Sequence, residues 1–412
     1  MEQLSCAKNT PKHWQIKKLG EVCEVIMGQS PPSTTYNTIG IGLPFFQGKA
    51  EFTELYPVVE KWCDAPNKIA QTNDILLSVR APVGATNIAN QKCCIGRGLA
   101  AIRYENNKYV FYFLRSIQQQ LDKKGTGTTF RAISGDTIKE TLIPLPPLPE
   151  QQAIVAKIEE LFSELDKGIE SLKTAQQQLT VYRQSLLKAA FEGKLTARWR
   201  KEQHTTDFSV AAEPPTKYMV HRELPEGWKK EKLGVVCEIK NGKNQKIVEN
   251  PNGKYPIYGS AGKMGYANSY LCEAGSTIVG RKGTINKPLY VNEKFWNVDT
   301  AFGFIPKTDL IINRFLYFFC LSFNFSKLDK STTIPSLAKT DLQKIDVILP
   351  SIDEQQLIVS ELESKLTVCD KMEETINESL QQAETLRQSI LKRAFEGRLV
   401  NYEIENVNYI DG

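Results

Sequence analysis

Residues Glu150–Leu195 read EQQAIVAKIEELFSELDKGIESLKTAQQQLTVYRQSLLKAAFEGKL, and residues Glu354–Leu399 read EQQLIVSELESKLTVCDKMEETINESLQQAETLRQSILKRAFEGRL. The two align without a gap over about 46 positions, of which roughly 21 are identical, so the chain carries an internal repeat. Both copies predict helices. Neither contains proline, and each reaches a glycine, Gly193 or Gly397, where a left-handed residue ends a helix. Asp353 with Gln356 three residues on reads as a capping box for the second helix, and Pro149 stands at or near the first helical position of the first.

Periodicity says what these helices pack against. In the first, Ile158, Leu165, Leu172, Leu179 and Leu186 recur every seven residues, beside a row of Ile154, Leu161, Gly168, Ala175, Tyr182 and Ala189. Such paired rows form a coiled-coil seam. The second helix repeats them as Leu362, Cys369, Ile376, Ala383 and Ile390, beside Ile358, Lys365, Met372, Ser379, Leu386 and Arg393. Lys365 and Arg393 suit a seam badly, but Leu366 and Ala394 stand next to them and can take over the contact. Gly168 costs about 1 kcal/mol against alanine and is expected to let the helices approach closely. Each helix would be about 69 Å long. An apolar stripe of that length needs cover; the expected cover is the other helix, with pairing between chains as the alternative.

Size and composition bound the rest. A chain of 412 residues forms two or three domains, and its 24% charged and 41% hydrophobic residues are ordinary for a soluble globular protein. A net charge of +5 permits a polyanionic partner. No run approaches the ~18 apolar residues of a membrane span, and Met1-Glu2-Gln3 opens no signal peptide. Nine scattered cysteines, an odd number, argue against a disulfide framework and for a reducing cytoplasm.

In chain order, residues 1–13 read as a polar tail. Trp14, Leu19, Gly20, Val22 and Cys23 open a first globular region, and Trp228, Leu233, Gly234, Val236 and Cys237 open a second with the same spacing. A polar linker, Thr196 to Leu224, separates them. Asn73–Asn87 matches Ala274–Asn286 as a strand leading into a glycine turn, and the aromatic runs Tyr109–Ser116 and Arg314–Ser322 match as short buried helices. Gly127–Gln152 matches Ser331–Gln356. The middles, Gly28–Asp64 and Asn241–Glu273, do not align. Two copies of one scaffold with different central loops suggest two similar readers set to different targets. Each globular region is expected to be α+β, with a mixed or antiparallel sheet.

Catalytic signals are thin. The three histidines, His13, His204 and His221, fall in the tail or linker, away from any nucleophile. Cys93-Cys94 lacks the spaced partners of a metal site and reads as two small buried strand residues. Gly96-Arg97-Gly98 is only a fragment of a glycine-rich turn, and no phosphate loop is present, so neither cofactor nor metal is expected. The aromatic runs read as core.

Candidate nucleic-acid contacts lie in the loops. Gln29, Ser30, Tyr36, Gln47 and Lys49 occupy those of the first region. Lys243, Asn244, Gln245, Lys246, Tyr258, Ser260 and Lys263 occupy those of the second. Arg80 and Arg281-Lys282 stand in matching turns, as do Thr128-Thr129, with Arg131 close by, and Thr332-Thr333. Glutamine and asparagine can bond bidentately to adenine, and arginine or lysine to guanine; lysine, serine, threonine and glycine-loop amides suit phosphates.

The W-x4-L-G-E-V motif, the Tyr258–Gly262 loop YGSAG, the LPPLPEQQ lead into the first helix and the QSLLKAAFEGKL exit resemble the specificity subunits of type I restriction–modification systems. The resemblance runs from about Trp14 to Leu399. It implies two target recognition domains, residues 1–149 and 225–349. It further implies spacer helices at 150–199 and 350–399 forming an antiparallel coiled coil, a linker at 200–224 and a tail at 400–412. The implied function is recognition of a bipartite DNA target, one half per domain. Implied partners are double-stranded DNA, two adenine methyltransferase subunits docked on the helices, and restriction and translocation subunits, with no membrane. The chain itself lacks a methyltransferase's catalytic tetrapeptide and glycine-rich cofactor loop, and is expected to be inactive alone. A stand-alone DNA-binding regulatory or architectural protein is the alternative.

Overall fold

The computed structural model describes residues 10–126, 131–204 and 224–400, and the chain divides into two units. The first comprises Met1–Leu172 and Glu378–Gly412; the second is Lys173–Asn377. Two continuous helices, Leu148–Phe191 and Ile352–Phe395, are 44 residues each. Each unit therefore holds the start of one long helix and the end of the other.

The helix ends follow local chemistry. Lys194 N–H donates to Ala189 O at 2.9 Å and Gly193 N–H to Ala190 O at 3.1 Å, and Arg398 and Gly397 bond back to Arg393 and Ala394 in the same way. This double closure needs a left-handed residue, supplied by Gly193 at φ +72° and Gly397 at φ +71°. At the other end the expected Asp353 box is not the cap. The second helix starts a residue earlier, and Ser351 Oγ accepts from Glu354 N–H at 3.3 Å.

Within each unit the start of one helix shares a core with the end of the other. Ile154, Ile158 and Phe162 pack with Ile390, Ala394 and Phe395 in the first unit; Leu186, Leu187 and Ala190 pack with Ile358, Val359 and Leu362 in the second. The pair is antiparallel. Arg387 pairs with Asp166 in the first unit, while in the second Arg183 pairs with Asp370 at 2.7 Å and Gln176 bonds Asn377 at 3.2 Å. The residue numbers of all three pairs add to the same total, so one register holds in both units.

The buried stripe keeps one of the two expected heptad rows and shifts the other by one residue. It runs through Ile358, Leu362, Leu366, Cys369, Glu373, Ile376, Leu380, Ala383, Arg387, Ile390 and Ala394, and the equivalent stripe lies about 204 positions earlier on the first helix. Its row Leu362, Cys369, Ile376, Ala383 and Ile390 is the expected one; the other, Leu366, Glu373, Leu380, Arg387 and Ala394, stands one residue after the expected row, because the stripe takes two four-residue steps from Ile358 to Leu366 before it alternates threes and fours. Met372 and Leu386, placed in the seam by the heptad, are accordingly 53% and 51% exposed. Tyr182 is half-exposed too. Ile154, Ile158, Leu186, Ile358, Leu362 and Ile390 are buried, and Leu161, Leu165, Leu172, Leu179 and Ile376 partly so. Lys365 and Arg393 do yield to Leu366 and Ala394. Gly168 is exposed, and a Cβ there would meet nothing within 4 Å, so it grants no close approach.

Each unit is built on a four-stranded antiparallel sheet. In the first the order is Glu24–Met27, Leu99–Arg103, Ile75–Ser78, Thr86–Ile88. In the second it is Cys237–Asn241, Ala301–Pro306, Ser276–Gly280, Leu289–Val291. Their central strands are buried on both faces because alternate side chains enter different cores. Ile75 and Leu77 meet the aromatic helix Asn107–Ser116, while Leu76 faces a smaller core around Phe46 and Ile95. A second sheet in each unit contains one parallel pair, Phe45↔Cys94 or Ile257↔Trp296, so the sheets are mixed and the class is α+β.

The repeated EQQ motif joins sheet, tryptophan and helix. Trp14 Nε1 donates to Glu150 at 3.0 Å and Trp228 Nε1 to Glu354 at 2.9 Å. The next glutamine turns back onto a proline carbonyl, Gln151 to Pro146 at 2.9 Å and Gln355 to Pro350 at 3.2 Å. His13 Nε2 lies 2.9 Å from Glu150 Oε2, so the end of the expected N-terminal tail belongs to this cluster. In the second unit Thr196 and Arg200, expected in or beside the linker, bond Glu354. His221 lies outside the described residues.

Candidate nucleic-acid interface

In the first unit, loops distant in sequence are tied edge to edge. Gln29 N–H donates to Ile95 O at 3.1 Å, Arg97 N–H to Ser30 Oγ at 3.1 Å and Gly96 N–H to Phe46 O at 2.8 Å. Val79 N–H donates to Gly98 O at 2.9 Å and Ala81 N–H to Arg131 O at 3.0 Å. The close approach requires glycine: a Cβ on Gly98 would lie 2.2 Å from Gln47 O, and one on Gly28 2.2 Å from Gly96 O. Gln47, Lys49, Arg80 and Arg97 come together around a cleft of about 190 Å³.

Charge distinguishes this cleft. Lys49, Arg80 and Arg97 are exposed, and among the described residues none has a carboxylate partner. Uncompensated cations on fixed loops, beside the exposed amides of Gln29 and Gln47, suit a polyanion with hydrogen-bonding edges. Other expected residues are committed elsewhere. Arg131 pairs with Asp122 at 3.3 Å. Tyr36 stacks on Phe45 at 4.6 Å and donates its hydroxyl to Pro31 O at 2.8 Å; burial raises its phenol pKa above the ordinary value. Ser30 Oγ anchors the Arg97 turn. Thr128 and Thr129 lie outside the described residues.

The second unit repeats the frame bond for bond. Gly242 N–H donates to Ala301 O and Lys243 N–H to Asn297 O, as Gly28 does to Leu99 O and Gln29 to Ile95 O. Val298 N–H donates to Tyr258 O and Ala301 N–H to Val298 O, as Gly96 does to Phe46 O and Leu99 to Gly96 O. The middles that share no readable sequence are therefore anchored alike, at Gly28, Gln29 and Phe46 and at Gly242, Lys243 and Tyr258, while their sheets differ, five strands against three. By these bonds Gln29 is equivalent to Lys243, and Arg97 to Asp299.

Around that frame, Arg281 N–H donates to Thr300 O at 2.8 Å, Gly283 N–H to Pro335 O at 2.9 Å and Leu337 N–H to Arg281 O at 2.9 Å. The Arg281-Lys282 turn thus adjoins the loop carrying Thr332 and Thr333, as the Arg80 turn adjoins Arg131. Lys243, Asn244, Lys246, Lys282, Thr332 and Thr333 are exposed. Arg281 is half-buried, its Nη1 donating to Asp299 O at 3.3 Å. Asn244 Oδ1 accepts from Lys246 N–H at 3.0 Å. Tyr258 packs edge-on against Phe295, centroids 5.7 Å apart, and Ser260 is partly buried beside it in sequence. Lys263 lies 4.1 Å above the Tyr266 ring and donates to its hydroxyl at 2.8 Å, and that hydrogen bond raises the ammonium pKa.

Sequence reasoning passed over Arg97 and Asp299. The available signal was an arginine between two glycines directly after the strand Cys93–Ile95; nothing in the sequence pointed to Asp299. Burial pushes the Cys93 and Cys94 thiols up to about 12, in keeping with core residues. Among the described residues no cluster of histidine, cysteine, aspartate or glutamate could hold a metal, and no helix is long and apolar enough to cross a membrane.

Comparison with known proteins agrees with this duplicated architecture. The type I restriction modification DNA specificity domain family matches residues 11–178 and again 225–382, so the chain belongs to that family and carries its domain twice. A putative type I restriction enzyme specificity subunit, MjaX, from Methanocaldococcus jannaschii is 40% identical over 194 residues, 46% of this chain and 45% of that one. The EcoDI specificity subunit of Escherichia coli is 24% identical over 98% of this chain and 93% of its own. The fold is also found in a chain from a type I restriction–modification assembly (TM-score 0.76, 22% identity, 94% of this chain and 99% of that one). The HsdS subunit from Thermoanaerobacter tengcongensis shares it as well (TM-score 0.57, 21% identity, 94% and 98%).

Proposed function

We propose that this chain supplies the DNA specificity of a type I restriction–modification complex. Each unit reads one half of an asymmetric, bipartite duplex target. The long helices set the unread gap and receive two adenine methyltransferase subunits, and restriction and translocation subunits join that core. Functionally, residues 1–149 and 225–349 are the readers, and 150–199 and 350–399 the spacer. The observation that carries this reading is one hydrogen-bonded frame presenting two unlike sets of exposed side chains. A duplicated scaffold with identical loops would read a repeat; unlike loops suit two different half-sites. Catalysis, cofactor binding and DNA cleavage belong to the partner subunits, acting on DNA in the cytoplasm.

The test is co-expression with a type I adenine methyltransferase subunit, followed by mapping of methylated adenines. The expected result is a single bipartite motif that vanishes when this chain is omitted. An undivided motif, or tight specific DNA binding without the methyltransferase, would instead support a stand-alone regulatory protein. Deleting an equal short segment from both helices should alter the gap and leave both half-sites unchanged.

A further inference from the structure

We propose that one turn carries a base-reading side chain in each unit: Arg97 reads guanine in the first half-site, and Asp299 reads the amino group of cytosine in the second. The inference rests on the DNA-reading function above and assigns specificity within it.

The two turns are the same turn. Each follows a strand in a parallel pair, Cys93–Ile95 or Trp296–Asn297, and leads into a strand of the four-stranded sheet. Each is held by backbone bonds from three directions: from the glycine loop, Gln29 to Ile95 and Lys243 to Asn297; from the partner strand of the parallel pair, Gly96 to Phe46 and Val298 to Tyr258; and from the neighbouring turn, Val79 to Gly98 and Arg281 to Thr300. The backbone is fixed without help from the Arg97 or Asp299 side chain. Both side chains are exposed, and neither forms an ion pair among the described residues. A positioned, unspent charge on a rigid turn is available to a ligand.

The opposite signs select the chemistry. Arginine bonds bidentately to guanine O6 and N7, whereas a carboxylate accepts from cytosine N4. A phosphate contact would explain Arg97 but not Asp299, because a carboxylate on a DNA-binding face is repelled by the backbone unless it meets a donor. Lys243 and Lys282, exposed on segments bonded to this frame, and Arg281, bonded to the Asp299 carbonyl, supply cations for the phosphates. Asp299 is thereby left to the base edge.

The test is methylation mapping with the assembled methyltransferase carrying Arg97→Gln or Asp299→Asn, using synthetic sites varied at every half-site position. Arg97→Gln should turn one guanine position of the first half-site towards adenine, reducing guanine preference there by about ten- to a hundred-fold. The second half-site and the gap should not change. Asp299→Asn should act equally locally on one cytosine position of the second half-site. Thermal unfolding checks that each variant folds, and Arg97→Ala and Asp299→Ala should relax the same single positions. An unchanged motif, or a uniform loss of methylation with base preferences intact, would overturn the assignment for that residue. If the wild-type complex yields no bipartite motif, the functional reading fails instead.

Discussion

Replacing Glu354 by glutamine should strongly destabilise the second unit. Its carboxylate, with a side chain 4% exposed, accepts from Trp228 Nε1 at 2.9 Å, Thr196 Oγ1 at 2.5 Å and the Arg200 guanidinium, itself 13% exposed. Arg200 also sits 5.4 Å above the Trp228 ring. Glutamine keeps one acceptor for the indole but turns an amide donor, or a neutral oxygen, towards a nearly buried guanidinium. Stranding one partner of a buried pair costs about 3–5 kcal/mol. With a urea m-value of about 3 kcal/mol per molar, the midpoint should fall by about 1–1.7 M. The measurement is urea titration followed at the Trp228 indole NMR signal, which reports this unit alone, since two units need not unfold together. Glu354→Leu combined with Arg200→Met should recover at least half of the loss, because both charges leave together. A midpoint shift below about 0.2 M for Glu354→Gln would refute the reasoning. In the first unit the equivalent Glu150 faces His13, 30% exposed, in place of a buried arginine. Its glutamine variant should cost only about 1–2 kcal/mol.

Three further outcomes are expected. Gly168→Ala should stabilise the first unit by about 1 kcal/mol, read as a higher melting temperature, because the helix interior there is open to solvent; destabilisation would mean that the position is packed. Lys49→Ala and Lys282→Ala should each reduce the slope of log affinity against log salt by about one and leave the methylated motif unchanged; a changed motif would assign that lysine to a base. The thiols of Cys23, Cys93, Cys94, Cys237 and Cys272, pushed up by burial to about 12, should resist alkylation at pH 8 until the chain unfolds. An unfolded thiol ionises near 8.5, so these groups contribute stability that is fully present below that pH and declines as pH rises towards 12. Rapid labelling of the folded chain would contradict their burial.

The repeat, its helical character and the α+β class were legible because they depend on local rules. Gapless identity, apolar spacing and a glycine at each helix end are properties of consecutive residues. The EQQ motif was visible as a signature, but its purpose was not. Glu150 and Glu354 act on tryptophans 136 and 126 residues away, a pairing that no local pattern encodes. The seam was half-read for a related reason. The row counted by sevens from Ile358 misses the four-residue step from Leu362 to Leu366, so Met372 and Leu386 fall one residue short of the seam and point to solvent.

The loop residues mark the sharper division. Their types suit DNA contacts, yet Tyr36, Asn244 and Arg131 spend atoms on the protein itself, which only the folded contacts reveal. Conversely, Arg97 and Asp299 drew no attention because their equivalence rests on backbone hydrogen bonds, and backbone bonds leave side chains free to diverge. The duplicated helices of Glu150–Leu195 and Glu354–Leu399 are thus written in sequence by the demand for buried apolar surface. The correspondence of the two loop frames is held by main-chain geometry, which side-chain identity does not record, and so only the tertiary structure decided it.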